Sequence, residues 1–124
     1  MKLLTVLALA LLAAPAAAAL GVPPVPVVAA GFSFASPVLV VPVGTTIEWR
    51  GEALPHTVTT SDSLSDAVSG RANDPANNDG DRDTFRQSLP VGIDVRHTYD
   101  TPGSFPYFCE FHRAFGMVGV IEVK

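Results

Sequence analysis

The sequence has very little cysteine, since Cys109 is the only one among 124 residues. A single cysteine excludes an internal disulfide. In an oxidising compartment an exposed free thiol would be oxidised readily, so burial or metal ligation are the durable roles for Cys109. The thiol is therefore a candidate functional group.

Long apolar runs are also lacking. The longest predominantly apolar run covers residues 3–12, which is too short for the roughly 20 residues that span a bilayer. Lys2 precedes it, and small alanines follow it up to Ala19. This pattern predicts a secretory signal peptide at 1–19, with a retained membrane anchor as the less favoured alternative. We expect an exported, periplasmic or otherwise extracytoplasmic protein with no membrane span in the mature chain.

Basic residues are few. Eight lysines and arginines face twelve aspartates and glutamates, for a net charge of −4, and removal of 1–19 takes Lys2 away as well. A negative protein is poorly suited to bind nucleic acid or anionic membranes. Neither is expected as a partner.

Helical periodicity is missing from the sequence as a whole. Short β-branched or alternating segments are instead separated by Gly/Pro turns, which predicts an all-β Greek-key sandwich of about seven to eight strands. The segments expected as strands lie at 32–35, 38–41, 46–50, 57–60, 94–100, 104–109 and 118–123. A short helical or irregular insertion is expected near 61–83. The Pro-rich stretch 20–30 is expected to be a linker or a frayed lead, with the folded domain at 31–124.

Soft side chains are concentrated near the C-terminus. Cys109, His112 and Met117 are spaced as Cys-x2-His-x4-Met. Thiolate, imidazole and thioether are the ligands that copper prefers, and a second imidazole would complete a trigonal set with a weak axial sulfur. His56, which follows a proline at a turn-to-strand transition, is the candidate second imidazole. A buried inert thiol is the alternative for Cys109, and core filling is the alternative for Met117.

Two segments carry a family resemblance. The Pro-His-Thr-Val sequence at 55–58 and the Tyr-Phe-Cys-Glu-Phe-His-Arg-Ala-Phe-Gly-Met-Val-Gly-Val-Ile-Glu-Val sequence at 107–123 resemble the cupredoxins, in particular the small plastocyanin-like and halocyanin-like blue copper proteins. The resemblance implies one type 1 copper ion with His56, Cys109 and His112 as equatorial ligands and Met117 as axial ligand. It also implies that the hydroxyl of Thr57 bonds across to the cysteine loop.

The same resemblance implies a function. We expect a soluble, monomeric electron-transfer protein that exchanges single electrons with redox proteins, which dock on an apolar patch that includes Phe111 and Phe115. Four coordinating side chains leave no open equatorial position for a substrate, so the protein is not expected to be an enzyme. The alternative is a copper-binding or copper-delivery module without a redox partner, for which an exposed Met/His-rich tract would be expected.

Overall fold

The computed structural model describes residues 22–74 and 82–124. Within them lie nine strands, one short α-helix and one 3-10 helix: β1 Val25–Ala30, β2 Ser33–Phe34, β3 Val38–Val41, β4 Thr45–Glu52, β5 His56–Thr60, α1 Leu64–Ser69, β6 Arg86–Leu89, β7 Asp94–Tyr99, β8 Gly103–Phe108, the 3-10 helix Arg113–Phe115, and β9 Val118–Val123. The predicted all-β class is confirmed.

The strands form two sheets. One sheet has the order β2-β1-β4-β7, and the other has the order β3-β9-β8-β5-β6. The chain changes sheet on either side of β3, between β4 and β5, and again on either side of β7. Because sequential strands so often belong to opposite sheets, the two sheets form a Greek-key sandwich, as the sequence predicts.

The core lies between the inner faces of the two sheets. On β4, Ile47 and Trp49 are fully buried, as their alternation in the sequence predicts. Trp49 packs edge-to-face against Tyr107 of β8, with ring centroids 5.4 Å apart. Contacts of this kind join the two sheets, whereas β5 and β8 are held side by side by their pairing within one sheet.

Residues 25–30 of the stretch expected as a linker or lead form a strand of the sandwich. β1 runs parallel to β4, and its Val27 and Ala29 side chains are fully buried. The proline content of this stretch misled the prediction. β2 pairs with β1 only at Ala29 and Ala30, so among the described residues Pro26 has no partner strand on that side. Lacking an N–H, proline is tolerated where one side of a strand has no neighbour. The folded domain therefore extends at least to Val25, not only to residue 31.

The insertion after β5 contains the helical turn that the sequence predicts. The side chain of Ser63 caps α1 by accepting a hydrogen bond from the Asp66 backbone N–H at 3.1 Å, and Gly70 ends the helix in the left-handed conformation. Residues 75–81 of the predicted insertion lie outside the described residues, and so does the predicted signal peptide at 1–19. In the described part of the chain, no helix is long and apolar enough to cross a membrane.

Candidate metal centre

His56 begins β5 and is almost completely buried at one end of the sandwich. Its Nε2 lies 3.3 Å from the carbonyl oxygen of Glu52, at the end of β4. Because a carbonyl only accepts, Nε2 carries the proton and donates it, and Nδ1 keeps its lone pair. Nδ1 faces Sγ of Cys109 at 3.8 Å. Burial lowers the pKa of His56, partly opposed by the bond to Glu52.

Cys109 directly follows β8, and its thiol is fully buried. The Cys109 backbone N–H donates to the carbonyl oxygen of Met117 at 3.0 Å, so the two residues close the base of the loop 110–116. Gly116 ends that loop with φ +84°, a conformation that favours glycine. The Met117 side chain is fully buried in the same core cluster as Cys109.

His112 lies on this loop, just before the 3-10 helix. Its Nδ1 is 3.5 Å from Sγ of Cys109, and its ring packs edge-on against that of His56 with centroids 5.1 Å apart. One donor atom each from His56, Cys109 and His112 lies within 4.8 Å of the others. The structure thus brings together the three residues that the sequence suggests as a trigonal donor set, although they come from two separate segments.

Thr57 is placed where the resemblance puts it. Its Oγ1 accepts a hydrogen bond from the backbone N–H of Glu110 at 2.8 Å, so the first residue of the loop is tied to β5. Sequence reasoning missed two neighbours of this bond. Thr59 donates to the Glu110 carboxylate at 2.7 Å, and Arg86 of β6 pairs with the same carboxylate at 2.5 and 2.6 Å. The Arg86 guanidinium holds the pKa of Glu110 below its usual range.

Three exposed aromatic side chains surround His112, and we call them the aromatic patch: Phe32, Phe111 and Phe115. Phe111 and Phe115 are predicted from the sequence, and both are more than 60% exposed. Phe32, from the turn between β1 and β2, was missed. Its ring stacks on Phe115 at a centroid distance of 4.4 Å and lies 5.1 Å from the His112 ring. No local pattern reveals such a contact between residues some eighty positions apart.

His97 lies away from this cluster. Its Nε2 is 2.7 Å from Oδ1 of the buried Asp83, and its ring packs against Phe85 and Tyr99. Among the described residues, the donor cluster at the end of the sandwich contains His56 and His112 but not His97. These contacts indicate a structural role for His97.

Comparison with known proteins gives a consistent result. Residues 25–124 match the family described as copper binding proteins, plastocyanin/azurin family. A search of curated protein sequences found no significant match.

Several solved structures share the fold. A purple cupredoxin from Nitrosopumilus maritimus is 22% identical with a TM-score of 0.60, over 81% of this chain and 99% of that one. A reduced amicyanin mutant is 20% identical with a TM-score of 0.59, over 82% of each chain. A copper-containing nitrite reductase from Thermus scotoductus is 28% identical with a TM-score of 0.60, over 82% of this chain but only 22% of that one.

A Greek-key sandwich with a buried thiol and two imidazoles converging at one end defines the class of small copper proteins. The chain belongs to the plastocyanin/azurin family of copper-binding proteins, whose members hold copper and mostly carry electrons. Its cofactor is one copper ion.

Proposed function

We propose that this protein is an exported carrier of single electrons, in which His56, Cys109 and His112 hold copper in a trigonal plane and Met117 supplies the axial thioether. The convergence of two imidazole nitrogens on a buried thiol supports this assignment most directly. Bound copper would supply the one-electron couple between its +1 and +2 states.

The spacing of the donors fits one shared ion. Bonds of about 2.0–2.1 Å to nitrogen and about 2.3 Å to sulfur, as measured for zinc, separate such donors by about 3.5–3.8 Å at tetrahedral to trigonal angles. The observed Sγ–Nδ1 distances are 3.8 Å to His56 and 3.5 Å to His112. Because Nε2 of His56 donates its proton to the Glu52 carbonyl, Nδ1 is unprotonated. A metal requires a ring nitrogen in this unprotonated form.

The burial of the four side chains supports a carrier over an enzyme. His56, Cys109 and Met117 are at most 1% exposed, whereas His112 is only partly buried. A substrate would have no route to the first three. The partly exposed imidazole, framed by the aromatic patch, is the natural point where electrons enter and leave, and a redox protein with an apolar surface would dock there.

Copper titration of the purified apo-protein tests the assignment. One equivalent of Cu(II) should give intense blue or purple thiolate-to-copper absorption, and Cys109→Ser should abolish the colour while keeping the fold. His97→Ala is the matched control, because it removes an imidazole outside the donor cluster and should leave the absorption unchanged. A pale wild-type complex would contradict the carrier assignment and favour a copper-delivery module. Loss of colour in the control would contradict the proposed set of ligands.

The proposal that the chain is exported rests on residues 1–19. Expression in a bacterial host should yield a periplasmic protein whose N-terminus, measured by mass spectrometry, begins at Leu20. Recovery of an uncleaved chain in the membrane fraction would instead support the retained anchor.

A further inference from the structure

The outer face of β5 carries an unusual arrangement. His56 and Val58 point into the core, so Thr57 and Thr59 lie on the opposite face of the strand, where side chains commonly meet solvent. Yet Thr57 is 6% exposed and Thr59 is 1% exposed. Both hydroxyls bond to Glu110, Thr59 to its carboxylate and Thr57 to its backbone N–H, and Arg86 bonds to the same carboxylate.

Strand register explains how these groups meet. Thr59 pairs with Phe108 on one side and with Arg86 on the other. Continuing the antiparallel register by two residues places Glu110 opposite Thr57. At that point the backbone ladder between β5 and β8 is replaced by side-chain bonds, since the Glu110 N–H donates to the Thr57 hydroxyl. The loop that contains Cys109 and His112 therefore begins on a side-chain anchor.

The hydrogen bonds close into a circuit, which we call the Glu110 network: Thr57, Thr59, Arg86 and Glu110. Thr59 donates its hydroxyl proton to the Glu110 carboxylate at 2.7 Å. The same Thr59 hydroxyl lies 3.2 Å from the Thr57 hydroxyl oxygen, a longer contact in which Thr59 is again the donor and Thr57 the acceptor. The circuit thus runs from the Glu110 N–H through both hydroxyls and back to the Glu110 carboxylate.

Arg86 completes the network from β6. Its Nε and Nη2 contact the two carboxylate oxygens of Glu110 at 2.5 and 2.6 Å, which is the bidentate geometry that a guanidinium fork favours. The Arg86 side chain is largely exposed, whereas that of Glu110 is mostly covered. The carboxylate is therefore held on one side by a buried hydroxyl and on the other by a cation.

We propose that Glu110, held by Arg86 and Thr59, is a positioning residue that locks the Cys109 loop onto the strand that carries His56. Cys109 precedes Glu110 and His56 precedes Thr57, so the Glu110–Thr57 bond joins the two residues next to the thiol and the first imidazole. Fixing these neighbours fixes the spacing of the two donor side chains. This inference rests on the proposed function, because it assigns the network to the geometry of the copper site.

A matched control exists on the other sheet. Glu48 is a buried carboxylate paired with guanidinium groups, with Nε and Nη2 of Arg96 at 2.7 and 2.6 Å from its Oε2 and Nη2 of Arg50 at 3.0 Å from its Oε1. It lies on the outer face of β4, in the sheet that carries none of the donor residues. Glu48→Gln should therefore lower stability as Glu110→Gln does, without acting on the site.

Amide hydrogen exchange in the metal-free protein provides the first measurement. Glu110→Gln, Arg86→Met and Thr59→Val should each accelerate exchange of the residue-110 backbone N–H by roughly tenfold, the effect of losing one charge-assisted hydrogen bond. Glu48→Gln should leave this rate unchanged. Equal rates in the wild type and in the three network variants would overturn the proposal.

The absorption spectrum and reduction potential of the copper-loaded protein provide the second measurement. The three network variants should shift both, and Glu110→Asp, which keeps the charge, should restore part of the shift. If exchange changes but spectrum and potential match those of the Glu48→Gln control, the network is merely structural and the proposal is wrong. If the wild type gives no blue or purple complex, the proposed function fails, while the exchange rates still decide whether the network holds the loop.

Discussion

The rings of Phe32 and Phe115 stack with their centroids 4.4 Å apart and their planes inclined by 15°. Phe32 belongs to the turn after β1, the first strand, and Phe115 to the loop before β9, the last strand. The stack therefore links segments near the two ends of the domain's sequence beside His112. Stacked aromatic pairs contribute about 0.5–1.5 kcal/mol beyond their buried area. The pair therefore shapes the surface around His112 and leaves apolar area exposed there.

Substitution in this patch should slow electron exchange. Phe115→Ser removes apolar contact area next to His112 without changing charge, so the rate of electron transfer with the physiological redox protein should fall by roughly tenfold or more. Stopped-flow mixing with that protein measures the rate. The copper absorption should not change, because Phe115 lies outside the proposed donor set.

Val40→Ser is the control for this substitution. Val40 is 58% exposed on β3, opposite Glu122 near the far end of β9. It should leave the transfer rate unchanged. Equal rates in the wild type and in Phe115→Ser would show that the aromatic patch is not the docking surface.

The axial position should set the reduction potential. In Met117→Gln a harder oxygen donor replaces the thioether and favours Cu(II), so the potential should fall; in Met117→Leu the donor is lost, so the potential should rise. Each shift should reach at least about 60 mV, which corresponds to a tenfold change in relative affinity for the two oxidation states. Voltammetry of both variants measures it. Identical potentials in the two variants would show that Met117 is core filling alone.

Gly119 is required by close packing. A Cβ at this position would overlap Cζ and Oη of the Tyr107 ring, which is buried opposite it on β8. Gly119→Ala should destabilise the apo-protein by about 1–3 kcal/mol, as overpacked cores do. Urea denaturation measures the change. An unchanged midpoint would show that the Tyr107 ring can move aside at no cost.

Alkaline pH should destabilise the protein through Tyr99. Burial raises the pKa of Tyr99 far above its ordinary value. A raised pKa stabilises the folded state below the ordinary tyrosine pKa of about 10, and this contribution is lost as the pH rises above that value, because only the unfolded chain then ionises. The free energy of unfolding should fall by about 1.4 kcal/mol per pH unit for this residue.

Tyr99→Phe provides the comparison. Denaturation midpoints measured at several pH values above 10 should fall less steeply in this variant than in the wild type. Parallel curves would mean that Tyr99 ionises in the folded protein.

Local pattern predicted much of the fold. Strands β3 and β9 were predicted with the bounds that the structure gives, because β-branched runs between Gly/Pro turns leave little choice of conformation. β1 was not predicted, because its three nearby prolines favour an extended tether. Its place beside β4 depends on burying Val27 and Ala29 in a core that the rest of the chain supplies.

The candidate site divides in the same way. Cys109 and His112 are close in sequence, and their spacing alone suggested a soft donor set. The pairing of Arg86 with Glu110 was not predicted, because it depends on the register of β5 with both β6 and β8. Register is a property of the assembled sheet, so an Arg and a Glu twenty-four positions apart carry no local signal.

The uneven burial of the four proposed ligands has a kinetic consequence. With only His112 reaching solvent, a donor protein and an acceptor protein would need the same face of this molecule. They could not bind at once, so the carrier would release one before meeting the other. Its turnover would then be limited by how fast each complex separates, which favours brief, weak encounters over tight ones.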